Sequence, residues 1–129
     1  MLFYVSVALG GALGSVGRAW LGVMAVRLTG PEFPYGTIAI NIIGSFVIGF
    51  FGALTAHGGR FAVPAEARAF VMIGVCGGFT TFSSFSLQTL DLLRSGRAGQ
   101  AMVNVVLSAG LCLLAVAVGY WGGARLHAG

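Results

Sequence analysis

Between Phe79 and Gln88 the chain lays two kinds of chemistry side by side. Phe79, Phe82 and Phe85 recur every three residues as an aromatic stripe, and Thr81, Ser84 and Gln88 recur at three and four as a polar one. An aromatic stripe alone reads as ordinary helix packing. A phenyl ring has a positive edge, however, which can face an anion without offering it water. Hydroxyl and amide donors lie beside it. The two stripes together suit a narrow conduit in which a small, poorly polarisable anion exchanges hydration for weak, repeated contacts. Earlier in the chain, Asn41 shares a helical face with Thr37, Gly44 and Ser45, and its amide nitrogen carries two donors. Later, Asn104 and Ser108 are four apart and share a face. Each of these faces reads either as an interhelical hydrogen bond that holds a bundle together or as a ligand contact.

The elements that must position these groups are membrane helices. The 129 residues are 57% hydrophobic and 8% charged, too few charges to solvate a globular surface. All seven basic residues are arginine, against Glu32, Glu66 and Asp91, for a net charge of +4. The arginines are scattered beside apolar runs, a pattern of membrane interfaces rather than of nucleic-acid binding. Four runs approach the roughly 20 residues that cross a bilayer: Leu2 to Val26, Tyr35 to Ala56, Ala67 to Leu93, and Ala101 to Gly122. Short linkers, among them His57-Gly58-Gly59-Arg60, join them into one domain covering 1–129. The N-terminal run lacks a basic n-region and is longer than a signal h-region, so it is expected to remain as a helix.

The third run is interrupted. In Gly74-Val75-Cys76-Gly77-Gly78-Phe79-Thr80-Thr81-Phe82-Ser83-Ser84-Phe85-Ser86, glycines and hydroxyl residues break an otherwise apolar helix, with the break expected near 77–80. Non-helical backbone at membrane depth is tolerated only where protein buries it or a wet cavity meets it, so the break points to a site for an ion or polar solute. Four spans put both termini on one side. That side carries Arg60, Arg68 and Arg125, and the other carries Arg27, Arg94 and Arg97. With no excess of basic residues to set orientation, insertion both ways is expected, which would let a chain pair with an inverted copy of itself. Gly10, Gly14 and Arg18, with Gly11 and Ser15 beside them, and then Ser45 and Gly49, mark faces where helices pack closely.

The stretch from Gly10-Gly11 to Gly14 with Arg18, the stretch Gly36-Thr37 to Asn41 with Gly44-Ser45, and the Gly-Gly-Phe-Thr-Thr-Phe-Ser-Ser-Phe-Ser sequence of the third run resemble the fluoride channel family known as Fluc or CrcB. The resemblance covers nearly the whole chain. It implies an all-α protein of a bacterial cytoplasmic membrane, with four transmembrane helices and the third broken mid-membrane. It also implies a dual-topology antiparallel homodimer with two pores, conducting fluoride passively out of the cytoplasm and so relieving fluoride toxicity. By position, Phe82 and Phe85 resemble the family's pore phenylalanines and Asn41 its second-helix pore asparagine. Gly77 and Thr80 match the positions whose main-chain carbonyls hold a structural sodium ion on the dimer axis. Thr81, Ser84 and Ser108 would line the polar track, and Arg18 a wet vestibule where its charge gathers anions. Two positions depart from some relatives: Asn104 stands where they have an aromatic residue, and Gln88 where they have an acidic one.

Other chemistries lack their residues. Cys76 and Cys112 lie in apolar runs without metal-ligand spacing, and read as small buried side chains. His57, His127 and Asp91 form no nucleophile triad, and the glycine-rich segment lacks the lysine of a phosphate loop. No enzyme is expected. A small dual-topology proton-coupled multidrug exporter is an alternative, but it needs an intramembrane carboxylate, and Glu32, Glu66 and Asp91 all sit at or near run ends. A purely structural membrane subunit would not need the interrupted helix.

Overall fold

The computed structural model describes residues 1–56 and 61–128. The expected turn His57-Gly58-Gly59-Arg60 and the side chain of His127 lie outside the described residues. Apolar runs with few helix breakers give α1 (Leu2–Thr29) and α2 (Tyr35–Leu54). The third run starts as α3 (Ala65–Ala69), widens without a break into a π-helical segment (Phe70–Cys76), and closes with the turn Gly77–Phe79. After two extended residues it resumes as α4 (Phe82–Arg94), and α5 (Ala98–Ala128) completes the chain. Gly30 and Gly96 stop α1 and α4 with φ of 79° and 74°, a left-handed conformation that a Cβ disfavours.

Four stretches are long and apolar enough to cross a membrane, the third being the composite Ala65–Arg94. The 28 residues of α1 span about 42 Å, ample for a hydrocarbon core of about 30 Å. Large apolar side chains such as Leu9, Leu13, Val16, Trp20, Val106 and Leu113 point outward rather than into a core. That is the arrangement expected of helices whose surroundings are lipid or another apolar surface.

With so little apolar driving force between helices in lipid, contact depends on how closely backbones approach. A Cβ on Gly10 or Gly14 would collide with the backbone oxygens of Phe70 and Val75, so these glycines seat α1 directly on the π-helical segment. The α2–α5 crossing uses the same device: Gly49 abuts the backbone of Val116, and Gly119 and Gly123 abut that of Phe46 and Phe50. Arg68 ties the ends together, its guanidinium Nη1 donating to the carbonyl of Thr55 at 3.0 Å just past α2. The third span changes partners along its length. Before the extended residues it lies against α1; after them, α4 leaves α1 and packs on α5.

Candidate functional site

The interruption falls on Thr80 and Thr81. Their φ/ψ values are −79°/158° and −152°/115°, both extended, whereas Gly77 is helical at −65°/−37°. The glycines therefore do not unwind the helix. Gly74 and Gly78 let the third span touch the backbone of α1 at Gly10 and Gly11, and Ser15 Oγ donates to the Gly78 carbonyl at 3.5 Å.

A break of this kind leaves backbone groups without helical partners, and each must be accounted for. Asn41 supplies two of them from α2. Its Oδ1 accepts the N–H of Thr81 at 2.8 Å, and its Nδ2 donates to the Thr81 carbonyl at 3.0 Å. The side-chain amide thus stands in for the peptide group that a helix would have provided. One of its two donors is engaged in this clasp and one remains. Thr81 caps the new helix, its Oγ1 accepting the N–H of Ser84 at 3.1 Å and donating to Ser84 Oγ at 3.1 Å.

These exchanges release two carbonyls. In a continuous α-helix the Thr81 N–H would bond Gly77 O and the Ser84 N–H would bond Thr80 O. Both donors are diverted, to Asn41 and to Thr81 Oγ1. Thr80 is itself steadied by donations to Cys76 O from its N–H (2.9 Å) and its Oγ1 (2.8 Å). Close approach of the break to α2 depends on Gly44, where a Cβ would overlap Thr80 Cγ2.

Around this clasp lies a cavity of about 430 Å³ that brings together Asn41, Gly77, Thr80, Thr81, Phe82, Phe85 and Ser108. Seven of the site residues expected from the sequence thus meet at one place. The rings of Phe82 and Phe85 are tilted at 53° with centroids 5.3 Å apart, and Phe82 is 79% exposed in the single chain. Ser84 is not among the lining residues and joins them through Thr81. Arg18 lies apart on α1, half-buried, with no hydrogen bond or ion pair among the described residues.

Two features go further than the residue pattern, which gives Asn104 and Ser108 a shared face but not the partner of that face. Asn104 is 1% exposed and donates to Thr89 Oγ1 at 2.9 Å; Thr89 Oγ1 in turn donates to the Phe85 carbonyl at 2.7 Å, and Ser108 Oγ donates to Asn104 Oδ1 at 3.4 Å. This relay clamps α5 to the backbone of Phe85. The second is a cavity of about 350 Å³ at the end of the bundle closed by the α1–α2 loop, lined in part by Thr37, Gln88, Asp91, Glu32 and Arg97. Arg97 Nη1 donates to the Glu32 carbonyl at 3.0 Å and pins that loop. Gln88 Oε1 is buried without a hydrogen-bond partner among the described residues.

Residues 5–120 match the family model described as "CrcB-like protein, Camphor Resistance (CrcB)". Curated proteins similar to the chain include several named "Fluoride-specific ion channel FluC". One from Opitutus terrae is 58% identical over 120 residues, covering 93% of this chain and 91% of the relative. One from Methylocella silvestris is 55% identical over 117 residues, covering 91% and 89%. One from Rhodospirillum rubrum is 51% identical over 126 residues, covering 98% of each.

Proposed function

Because the chain belongs to the CrcB-like family, we propose that it is a fluoride-specific ion channel of the cytoplasmic membrane, letting fluoride leave the cell down its gradient. Its relatives' names identify the ion. The observation that carries the mechanism is the extended Thr80–Thr81 pair, clasped by Asn41 against a cavity edged by Phe82 and Phe85.

A small, strongly hydrated anion can enter apolar surroundings only where protein replaces its water. Phe82 and Phe85 offer ring edges, and the unengaged N–H of Asn41 offers one donor. Thr81 and Ser108 add hydroxyls to the cavity lining, and Ser84 joins them through Thr81. None of these contacts is a full charge, which suits conduction: binding strong enough to admit the ion yet weak enough to release it. Arg18, with no partner among the described residues to neutralise it, would raise the anion concentration near a mouth.

Sodium fits the carbonyls freed at Gly77 and Thr80, since a hard cation takes oxygen ligands and both groups are diverted from the helix ladder. Bound there, it would supply a fixed positive charge that offsets the cost of dehydrating an anion. Gly77 is exposed, with nothing within 4 Å of where its Cβ would stand, which leaves room for a second copy to bring its own two carbonyls. We read the assembly as an antiparallel homodimer inserted in both orientations, with the break at mid-membrane and the sodium ion on the two-fold axis. The proton-coupled exporter is disfavoured by a specific observation: neither Glu32, Glu66 nor Asp91 lines the central cavity.

The test is fluoride efflux from liposomes, followed with a fluoride electrode. Purified protein should release trapped fluoride, and should release trapped chloride no faster than protein-free liposomes do. Fluoride retained at the protein-free rate would overturn the proposal.

A further inference from the structure

Three side chains and one carbonyl form a chain of hydrogen bonds between α5 and the first turn of α4. Ser108 Oγ donates to Asn104 Oδ1 at 3.4 Å, Asn104 Nδ2 donates to Thr89 Oγ1 at 2.9 Å, and Thr89 Oγ1 donates to the Phe85 carbonyl at 2.7 Å. Its two ends, Ser108 and Phe85, line the central cavity, whereas its two middle members, Asn104 and Thr89, do not. Asn104 is 1% exposed. The middle of the relay therefore acts from inside the chain, whatever covers the open side of the cavity.

Packing alone does not ask for polar groups at this place. Leu92, three residues beyond Thr89, and Ala101, three before Asn104, are 3% and 2% exposed, so the surroundings on both helices are buried and apolar. Replacing both partners of a buried hydrogen bond by apolar groups of the same shape is nearly neutral in stability. What the hydrogen bonds add is direction. A threonine in a helix divides between two χ1 rotamers, because its hydroxyl can bond a carbonyl of the preceding turn. Asn104 fills a lone pair of Thr89 Oγ1 from the neighbouring helix, which leaves the hydroxyl hydrogen for the Phe85 carbonyl and holds one rotamer. Phe85 lies in the first turn of α4, and among the described residues α4 packs on no helix but α2 and α5. Thr81 caps the start of this helix; the relay fixes the turn that carries Phe85.

We infer that Asn104 and Thr89 are positioning residues for the proposed fluoride path: through them α5 holds the Phe85 backbone, and with it the Phe85 ring edge, in place on the cavity wall. A ring edge serves an anion only while it faces the anion. Neither residue touches the ion. The effect on conduction rests on the channel reading, whereas the relay stands on its own geometry.

The experiment compares the full-length parent with Asn104→Leu, Thr89→Val, Thr89→Ser and the double variant Asn104→Leu/Thr89→Val, by thermal unfolding in detergent and by fluoride efflux. Reconstitution at fewer than one dimer per liposome separates two readouts: the extent of release counts folded channels, and its rate reports each channel. Asn104→Leu and Thr89→Val should each slow the rate about two- to tenfold, the effect of one lost hydrogen bond on a barrier. Thr89→Ser keeps the hydroxyl and should release fluoride at the parental rate. The double variant places apolar groups on both sides, so it should be no less stable than either single variant and yet remain slow. A rate that recovers together with stability would overturn the positioning role and leave the relay as an attachment between helices. Parental rates in both single variants, or Thr89→Ser as slow as Thr89→Val, would overturn it as well. Should Asn104→Leu yield too few folded channels, the comparison of valine with serine at Thr89 decides. A parent that releases no fluoride would refute the channel reading instead, and the unfolding temperatures would still judge the relay, since additive losses in the double variant would overturn the Asn104–Thr89 bond itself.

Discussion

Replacing Asn41 by alanine removes both hydrogen bonds that hold the extended backbone at Thr81, and the consequence can be sized. The bonds are 2.8 and 3.0 Å, and Thr81 is 7% exposed, so little water can take their place. A buried donor or acceptor left without a partner costs about 1–3 kcal/mol, so orphaning the N–H and the carbonyl together should cost about 2–6 kcal/mol. Asn41→Asp separates this structural part from the electrostatic one. A carboxylate oxygen still accepts the Thr81 N–H, but the other now faces the Thr81 carbonyl, acceptor against acceptor, so about half the loss remains. A negative charge also appears where an anion is proposed to pass. Thermal unfolding in detergent and liposome efflux read the two effects separately. The alanine variant should unfold at markedly lower temperature and conduct no fluoride; the aspartate variant should unfold at an intermediate temperature and also fail to conduct. An alanine variant as stable as the parent would refute the clasp, and an aspartate variant conducting like the parent would remove Asn41 from the path.

Phe82→Ile and Phe85→Ile keep apolar bulk and remove the ring edge. Phe82 is so exposed in the single chain that stability should change by no more than about 0.5 kcal/mol while fluoride efflux falls severely, and parental efflux in both variants would return the stripe to ordinary packing. Gly44→Ala drives a Cβ into Thr80 Cγ2 and should cost about 1–3 kcal/mol with loss of efflux. Adding Thr80→Ser deletes that methyl, so the double variant should recover stability and efflux; no recovery would mean that Gly44 matters for another reason. Gly77→Ala meets nothing within the chain and should leave its fold intact. Its dimer, followed by size exclusion in sodium and in an organic-cation buffer, should lose any stabilisation by sodium, and a dimer still stabilised by sodium would refute the placement of the ion.

Much of the architecture is legible in the residues because a bilayer asks for so little: long apolar runs, few charges and punctuation at Gly30 and Pro31 specify four helices without reference to one another. The aromatic and hydroxyl stripes after the break are legible for a similar reason, since three- and four-residue spacing sets a common face within a single helix. What pairs with that face is not local. The expected break at the glycines shows the limit, because composition marks Gly77 and Gly78 as the weak point, while the structure keeps Gly77 helical and presses Gly78 against α1. The extended residues are Thr80 and Thr81, held open by an amide forty positions earlier in the chain. The π-helical segment and the Asn104–Thr89–Phe85 relay likewise depend on which helices meet. A helix can be specified by its own residues, but a gap in its hydrogen-bond ladder is stable only where another helix supplies the missing partners, and only the tertiary structure decides where that is.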